Sequence, residues 1–460
     1  MRRGPLSVVV VAALLAGSGM AAAVLPADAE HPLELESRLP RAEASVVVDP
    51  HDPTRVVVSA MQFPRPLAEG VVMADQPVAQ VWISHSGGAA YRSAGPLPLP
   101  RPKAQYSEHA TLAWDPHGPL YATYSALPRY GQSSKDAGVY VARSYDGGRS
   151  WQRMGLVEGL SCSRPHRPVV AVDPARGTVF VAWTHEVEPS CDGNEDWSQT
   201  SLRWASSTDG GAHFSRPVEI TTDGAGDDPA PAVLADGTLL VSYLEIGGVS
   251  LGDEVCPSVD QRVVVVRFAA GGRRLGDATA IPRLCLIGAG LSANGATFVP
   301  VTYPAIATDP TTRSVVVAAT YQGQVDRGVM TASSLDGGRT WSQRLVADAP
   351  GTEATMPVLS AAAGRTALSW LSVEPGGVYN PLLVSSSDGG RSWTAPLSLA
   401  TTPSVGNSHP QNGYDTYGFG QYQGLAIGSD RVAHAAWPDL RPRGANTQDV
   451  DVWTRDVRLR

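Results

Sequence analysis

The sequence predicts an all-β fold: a single β-propeller of four-stranded antiparallel blades, seven in number, with six as the alternative. Three observations predict it. A turn motif recurs at a near-fixed period, and an apolar strand signature recurs in step with it. In addition, 47 glycines and 37 prolines punctuate a 460-residue chain whose apolar runs are short. Length alone suggests two or three domains, and the repeat overrides that expectation.

The motif is clearest at Ser144-Tyr145-Asp146-Gly147-Gly148-Arg149-Ser150-Trp151. It returns at Ser207 through Asp209 to Phe214, at Ser334 through Asp336 to Trp341, and at Ser386 through Asp388 to Trp393. Worn copies stand at Ser84–Tyr91 and Phe268–Leu275, so the starts fall 60, 63, 61, 66 and 52 residues apart. Apolar alternation before the motif reads as a strand, Asp-Gly-Gly as a tight turn, and the aromatic residue as the start of the returning strand. Glycine supplies the positive φ, and the aspartate bonds backbone N–H groups just ahead of it.

This pattern resembles the Asp-box, or bacterial neuraminidase repeat (BNR), of the sialidase-like β-propellers, over roughly residues 42 to 460. The resemblance implies that Asp146, Asp209, Asp336 and Asp388, with Trp151, Phe214, Trp341 and Trp393, are structural and lie on the face away from the ligand site.

The elements then follow in order. Residues 1–29 read as a Sec-type signal peptide: Arg2 and Arg3, an apolar run from Leu6 to Ala16, and an Ala27-Asp28-Ala29 cleavage site. The mature protein is expected to be secreted, to lack a membrane span and to be monomeric. Residues 30–41 are an N-terminal segment, and residues 42–460 form the propeller. First strands are expected at Ala44–Asp49, Ala110–Asp115, Arg167–Asp173, Pro231–Asp236, Pro304–Asp309, Pro357–Ala362 and Gly424–Gly428. The last repeat has three strands and no Asp-box. Its missing outer strand is expected from the N-terminus, near residues 32–36, which closes the ring and removes free sheet edges.

The crossovers between blades and the loops between second and third strands share one face of such a ring. Four cysteines in an exported chain favour disulfides, and the repeat register favours Cys162–Cys191 and Cys256–Cys285, each joining nearby loops of that face. No CxxC pair marks a zinc site, and Asp223–Asp228 reads as an ordinary acidic loop, so no metal and no cofactor is expected. The net charge of −8 leaves no footprint for nucleic acid. There is no G-x-S-x-G elbow, H-E-x-x-H or Walker loop.

Aligning the repeats on their first strands places one residue per blade at the channel mouth: Glu43, His109, Arg167, Ala230, Tyr303, Met356 and Gln423. The frames are alike and the side chains differ, as a site would require. Candidates for catalysis are Arg167, Arg164, Glu108, Tyr303 and Tyr417. Candidates for ligand binding are His109, His166, Asp228, Arg327, Glu353, Gln421 and Tyr422. The resemblance implies three arginines gripping a substrate carboxylate, a tyrosine nucleophile assisted by a glutamate, and an aspartate acid/base; Arg suits a carboxylate because its planar fork matches it. Ser37-Arg38-Leu39-Pro40 is similar to the family's first arginine motif without its aromatic residue. Asp439 and Arg441 alternate at a strand end and read as an ion pair bracing the loops. The functional expectation is a secreted propeller acting on extracellular glycans, an exo-glycosidase of the sialidase type. The alternative is a non-catalytic propeller that binds glycan or protein.

Overall fold

The computed structural model describes residues 29–34, 37, 39–64, 77–100, 104–128, 137–160, 163–187, 200–221, 226–246, 260–285, 291–293, 296–298, 303–309, 312–323, 326–348, 351–374, 377–405, 420–441 and 450–460. Their strands form seven antiparallel blades and a separate two-stranded ribbon of Leu291–Ala293 with Ala296–Phe298. From the channel outward, blade 1 is Arg41–Val48, Val56–Gln62, Val78–Ser84 and Arg92–Pro96, and blade 2 is Tyr106–Trp114, Leu120–Leu127, Ala137–Ser144 and Arg153–Leu160. Blade 3 is Ser163–Val172, Val179–Val187, Thr200–Ser207 and Val218–Thr221, and blade 4 is Gly226–Val233, Leu239–Ile246, Asp260–Phe268 and Arg274–Cys285. Blade 5 is Ala305–Asp309, Ser314–Gln322, Arg327–Ser334 and Ser342–Ala347, and blade 6 is Glu353–Ala362, Arg365–Val373, Val378–Ser386 and Leu397–Ser398. Blade 7 is Gly424–Ile427, Val432–Asp439 and Asp451–Arg458, with His31–Pro32 as its outer strand. The inner strands touch one another in sequence around a closed ring of seven. No helix among the described residues is long and apolar enough to cross a membrane.

A second strand has a neighbouring blade against each face, so it reads as a continuous apolar run and not as an alternation. Leu120–Leu127 is buried at every residue. Seven buried apolar clusters result, one between each pair of adjacent blades. Tryptophans anchor several of these junctions, and burying an indole calls for a partner for its N–H. Trp82 Nε1 donates to Glu34 at 3.3 Å, Trp183 Nε1 to Glu158 at 3.2 Å, and Trp370 Nε1 to Asp348 at 3.3 Å. In each case the carboxylate comes from the strand or segment just before the tryptophan's own blade.

The Asp-box turns are built as the sequence predicts. Gly148 N donates to Ser144 Oγ at 2.8 Å, Ser144 Oγ to Asp146 at 2.7 Å, and Ser150 N to Asp146 at 2.9 Å, while Gly147 and Gly148 take φ of 72° and 93°. The same bonds recur at Asp209, Asp336 and Asp388. Replacing Asp388 with alanine strips the turn of the acceptor for four N–H and O–H groups. We expect a loss of about 1–2 kcal/mol in chemical denaturation, with no change in any activity measured at the opposite face.

Ring closure is short and densely pinned. His31 pairs with Thr454 and Pro32 with Trp453, and Leu33 N donates to Val452 O at 2.8 Å. Arg441 holds Glu30 through Nη1 at 2.7 Å and Nη2 at 3.1 Å and also grips Asp439 at 2.8 Å. Asp439 and Arg441 are thus an ion pair, with Glu30 as a third member. On the far side, fully buried Arg41 joins Glu34 at 2.8 Å to Asp451 at 2.9 Å.

Candidate functional site at the channel mouth

Five inner strands break register at the same place: Ala42/Ser45, Glu108/Thr111, His166/Val169, Asp227/Ala230 and Thr355/Val358. Each break is a β-bulge, which re-aims a side chain out of the ladder. Inside each bulge sits one non-glycine residue with positive φ: Glu43 at 60°, His109 at 55°, Arg167 at 45°, Asp228 at 55° and Met356 at 53°. Such a conformation costs on the order of 1 kcal/mol or more per residue and persists where surrounding structure enforces it. The bulge lies at the end of the blade opposite the Asp-box. In blade 2, Trp114 pairs with Leu120 and Leu120 with Ser144, so the motif serine stands at the other end of the strand from His109.

The column of mouth residues is therefore corrected in blade 4. Asp228, not Ala230, occupies the bulge; Ala230 has resumed regular pairing with Ser242. The first turn of blade 4 closes from Leu234 N to Thr238 O, where blade 3 closes from Asp173 N to Thr178 O. Leu234 takes the place of the strand-end aspartate, and alignment on Asp236 is two residues out.

Around the mouth, blades 1 to 4 present an unbroken series of ionisable groups. Glu43 Oε2 lies 2.9 Å from His109 Nδ1, and Glu108 Oε1 lies 3.6 Å from His109 Nε2. The His109 ring meets His166 edge to face, centroids 4.7 Å apart. His166 Nδ1 lies 3.6 Å from Asp228 Oδ1 and 3.9 Å from Glu186, and Arg167 Nη1 lies 3.9 Å from the same Asp228 oxygen. Asp228 N donates to Thr184 Oγ1 at 3.2 Å. Burial pushes the Asp228 carboxyl up to about 7, against the opposing pull of Arg167 and His109.

The opposite wall comes from blades 5 and 7. The Arg167 guanidinium stacks 3.9 Å from the centre of the Tyr303 ring and 5.3 Å from that of Tyr422. Tyr303 donates its hydroxyl to Gln421 Oε1 at 2.6 Å. Burial first, and the Glu43 carboxylate second, push the Tyr422 phenol well up. Gln423 Nε2 donates to Met356 O at 2.7 Å, tying blade 7 to the blade 6 bulge. Gly420 packs here with φ of 83°, and a Cβ on it would meet Ala42 Cβ and Glu43 Cγ at 2.9 Å.

The structure thus brings together His109, His166, Arg167, Asp228, Glu108, Tyr303, Gln421 and Tyr422, with Glu43 and Glu186 as further members. Glu43 is legible in the sequence, six residues before Asp49 as Arg167 is before Asp173. Arg327 and Glu353 stand apart as an ion pair of 2.8 Å, with Gln322 on the same carboxylate at 3.4 Å. Arg164 lies opposite Glu186 in the ladder, but its side chain is outside the described residues. Arg38, Tyr417, Cys162, Cys191, Cys256 and the side chain of Cys285 lie outside them too, as do residues 222–225 of the acidic loop. No group of three or more His, Cys, Asp or Glu among the described residues has the geometry to hold a metal ion.

Comparison with solved structures finds similar chains. A protein of unknown function from Dyadobacter fermentans DSM 18053 is similar at 15% identity, with 78% of this chain and 99% of that one covered and a TM-score of 0.50. The Hadza microbial sialidase Hz136 matches at 16% identity over 87% of this chain and 76% of that one, TM-score 0.47. The α-L-arabinofuranosidase Arb93A of Fusarium graminearum matches at 13% identity over 76% and 93%, TM-score 0.48. No curated protein matches. A family model described as a BNR repeat-like domain matches residues 118–412, which takes in five of the six turn motifs and four of the seven inner strands. The chain belongs to this BNR repeat-like family, as a propeller of seven blades.

Proposed function

We propose that this protein is a secreted glycoside hydrolase acting on extracellular glycans, with its active site at the channel mouth and Asp228 as general acid. One observation carries the reading. Asp228 is 2% exposed, sits in a strained bulge beside His166 and Arg167, and has its carboxyl pushed up to about 7. A carboxyl still protonated near neutral pH is what protonation of a glycosidic oxygen needs. Tyr303, Tyr422 and Arg167 form an aromatic and cationic wall suited to a sugar ring and an acidic substituent. Arg167 contacts Asp228, Tyr303 and Tyr422, whereas Arg41 and Arg327 are paired with carboxylates of their own. The reading therefore rests on glycoside hydrolysis in general, with a sialoside as one substrate to be tried. Export by residues 1–29 and the disulfides Cys162–Cys191 and Cys256–Cys285 belong to the same proposal.

The test is a panel of aryl glycosides, sialoside included, offered to the mature chain and to Asp228→Asn. We expect release from at least one, reduced about 10²-fold or more in the variant. The loss should be larger for a phenyl than for a dinitrophenyl leaving group, because an activated phenolate departs without a proton. A folded wild type that releases nothing but retains glycans on an array would replace this reading with a non-catalytic binder.

A further inference from the structure

We propose that His109, oriented by Glu43, is the general base that activates the attacking water, so that cleavage inverts the anomeric centre. This rests on the hydrolase reading above. Glu43 and His109 come from adjacent blades, yet each is turned inward by its own bulge at the same height, which places carboxylate and imidazole 2.9 Å apart. Both are buried, at 3% and 6% exposure. Two strained positions in succession hold this pair, and Gly420 leaves the space Glu43 fills. Glu43, 2.9 Å from Nδ1, lies nearer than Glu108, 3.6 Å from Nε2, so the proton is held on Nδ1 and Nε2 is the basic nitrogen.

The disposition around the ring supplies the second half of the argument. His109 belongs to blade 2 and Asp228 to blade 4, with His166 and Arg167 of blade 3 between them. A sugar seated over blade 3 would have a base on one flank and an acid on the other. In single displacement the acid and the base act from opposite sides of the substrate, the base through the attacking water. The steps balance: water oxygen bonds to the anomeric carbon as its proton passes to His109 Nε2, while the glycosidic C–O bond breaks and its oxygen takes the Asp228 proton. The resulting imidazolium and carboxylate reset by proton exchange with solvent. Glu43, Glu108, His166, Arg167, Tyr422 and Asp228 are the charged and titratable groups that face His109 and share in that exchange.

Three measurements test it. Nitrogen NMR of ¹⁵N-histidine-labelled wild type, which needs no turnover, should show His109 protonated at Nδ1 and bare at Nε2 near neutral pH, and Glu43→Gln should disturb that preference. The reverse tautomer in wild type would overturn the proposal. With whichever glycoside the panel identifies, proton NMR of the first-formed sugar should show inversion; a retained anomer would overturn the proposal and leave the hydrolase reading standing. His109→Ala should lose about 10²-fold in kcat with KM within about threefold and regain about tenfold with added imidazole, which a merely structural histidine would not; kcat within threefold of wild type would also sink it. Absence of turnover in wild type would sink both readings together.

Discussion

A chain beginning at Ser37 should melt roughly 5 °C below one beginning at Glu30, and should be cut faster by proteases between blades 7 and 1. Residues 30–34 close the ring with two paired residues, but their side chains reach three blades. Glu30 binds Arg441 of blade 7 and the Thr401 backbone at 3.0 Å beside blade 6; His31 Nε2 bonds Gly88 O of blade 1 at 3.0 Å; Glu34 binds Arg41 and Trp82. Leu33 is 1% exposed in the cluster between blades 7 and 1, and stripping such a side chain costs about 2–4 kcal/mol. Loss of the Glu34 carboxylate leaves Arg41, buried and already lowered to about 10 by that burial, with Asp451 as its remaining carboxylate. Together these suggest about 5 kcal/mol. At the usual unfolding entropy per residue, a chain of this size shifts by roughly 1 °C per kcal/mol. Scanning calorimetry of the two chains, with Glu30→Gln as the milder step, checks this. Coincident melts would show that the clasp adds nothing.

Asp228→Asn should stabilise the protein at alkaline pH while removing its activity. The sign follows from the direction of the shift. The folded carboxyl titrates near 7 and the unfolded one near 3.8, so between those values the folded chain holds a proton that the unfolded chain has released. The contribution of this group to stability is therefore greatest below pH 4, falls as pH rises through that window and levels off above 7. At roughly 1.4 kcal/mol per pH unit, the full cost is about 4 kcal/mol. Asparagine carries no such cost, so the variant should melt about 4 °C above wild type at pH 8, and the two curves should converge near pH 4. Parallel curves across the whole range would mean that Asp228 ionises without penalty, and the case for it as an acid would fall with them.

Much of the fold was legible because it is repeated. Ser-x-Asp-Gly-Gly followed by an aromatic residue is a local instruction: the serine and aspartate oxygens bond N–H groups two to four residues away, and no distant contact is needed to form the turn. Counting such instructions gives the blades. The mouth was partly legible for the same reason, since Glu43, His109 and Arg167 keep a constant distance from a strand-end aspartate. Blade 4 departed because Leu234 replaces that aspartate, so the landmark moved and the bulge did not. Arg41 was missed because what holds it is nonlocal: its partner Asp451 is 410 positions away. Arg327 and Glu353 are candidates by type alone, and only three dimensions show that each occupies the other.

The bulges carry a consequence beyond this chain's own chemistry. Each contributes one side chain from one blade, while the apolar clusters that hold the blades together lie further out along the sheets. Exchanging Glu43, His109, Arg167 or Asp228 for another residue that tolerates positive φ alters one wall of the cup and touches none of the seven seams, whereas Met356 belongs to the seam between blades 6 and 7. Specificity in this architecture is composed like a lock with separately cut pins. A library varied at those four polar positions should contain many folded members, and their substrates should diverge faster than their melting points.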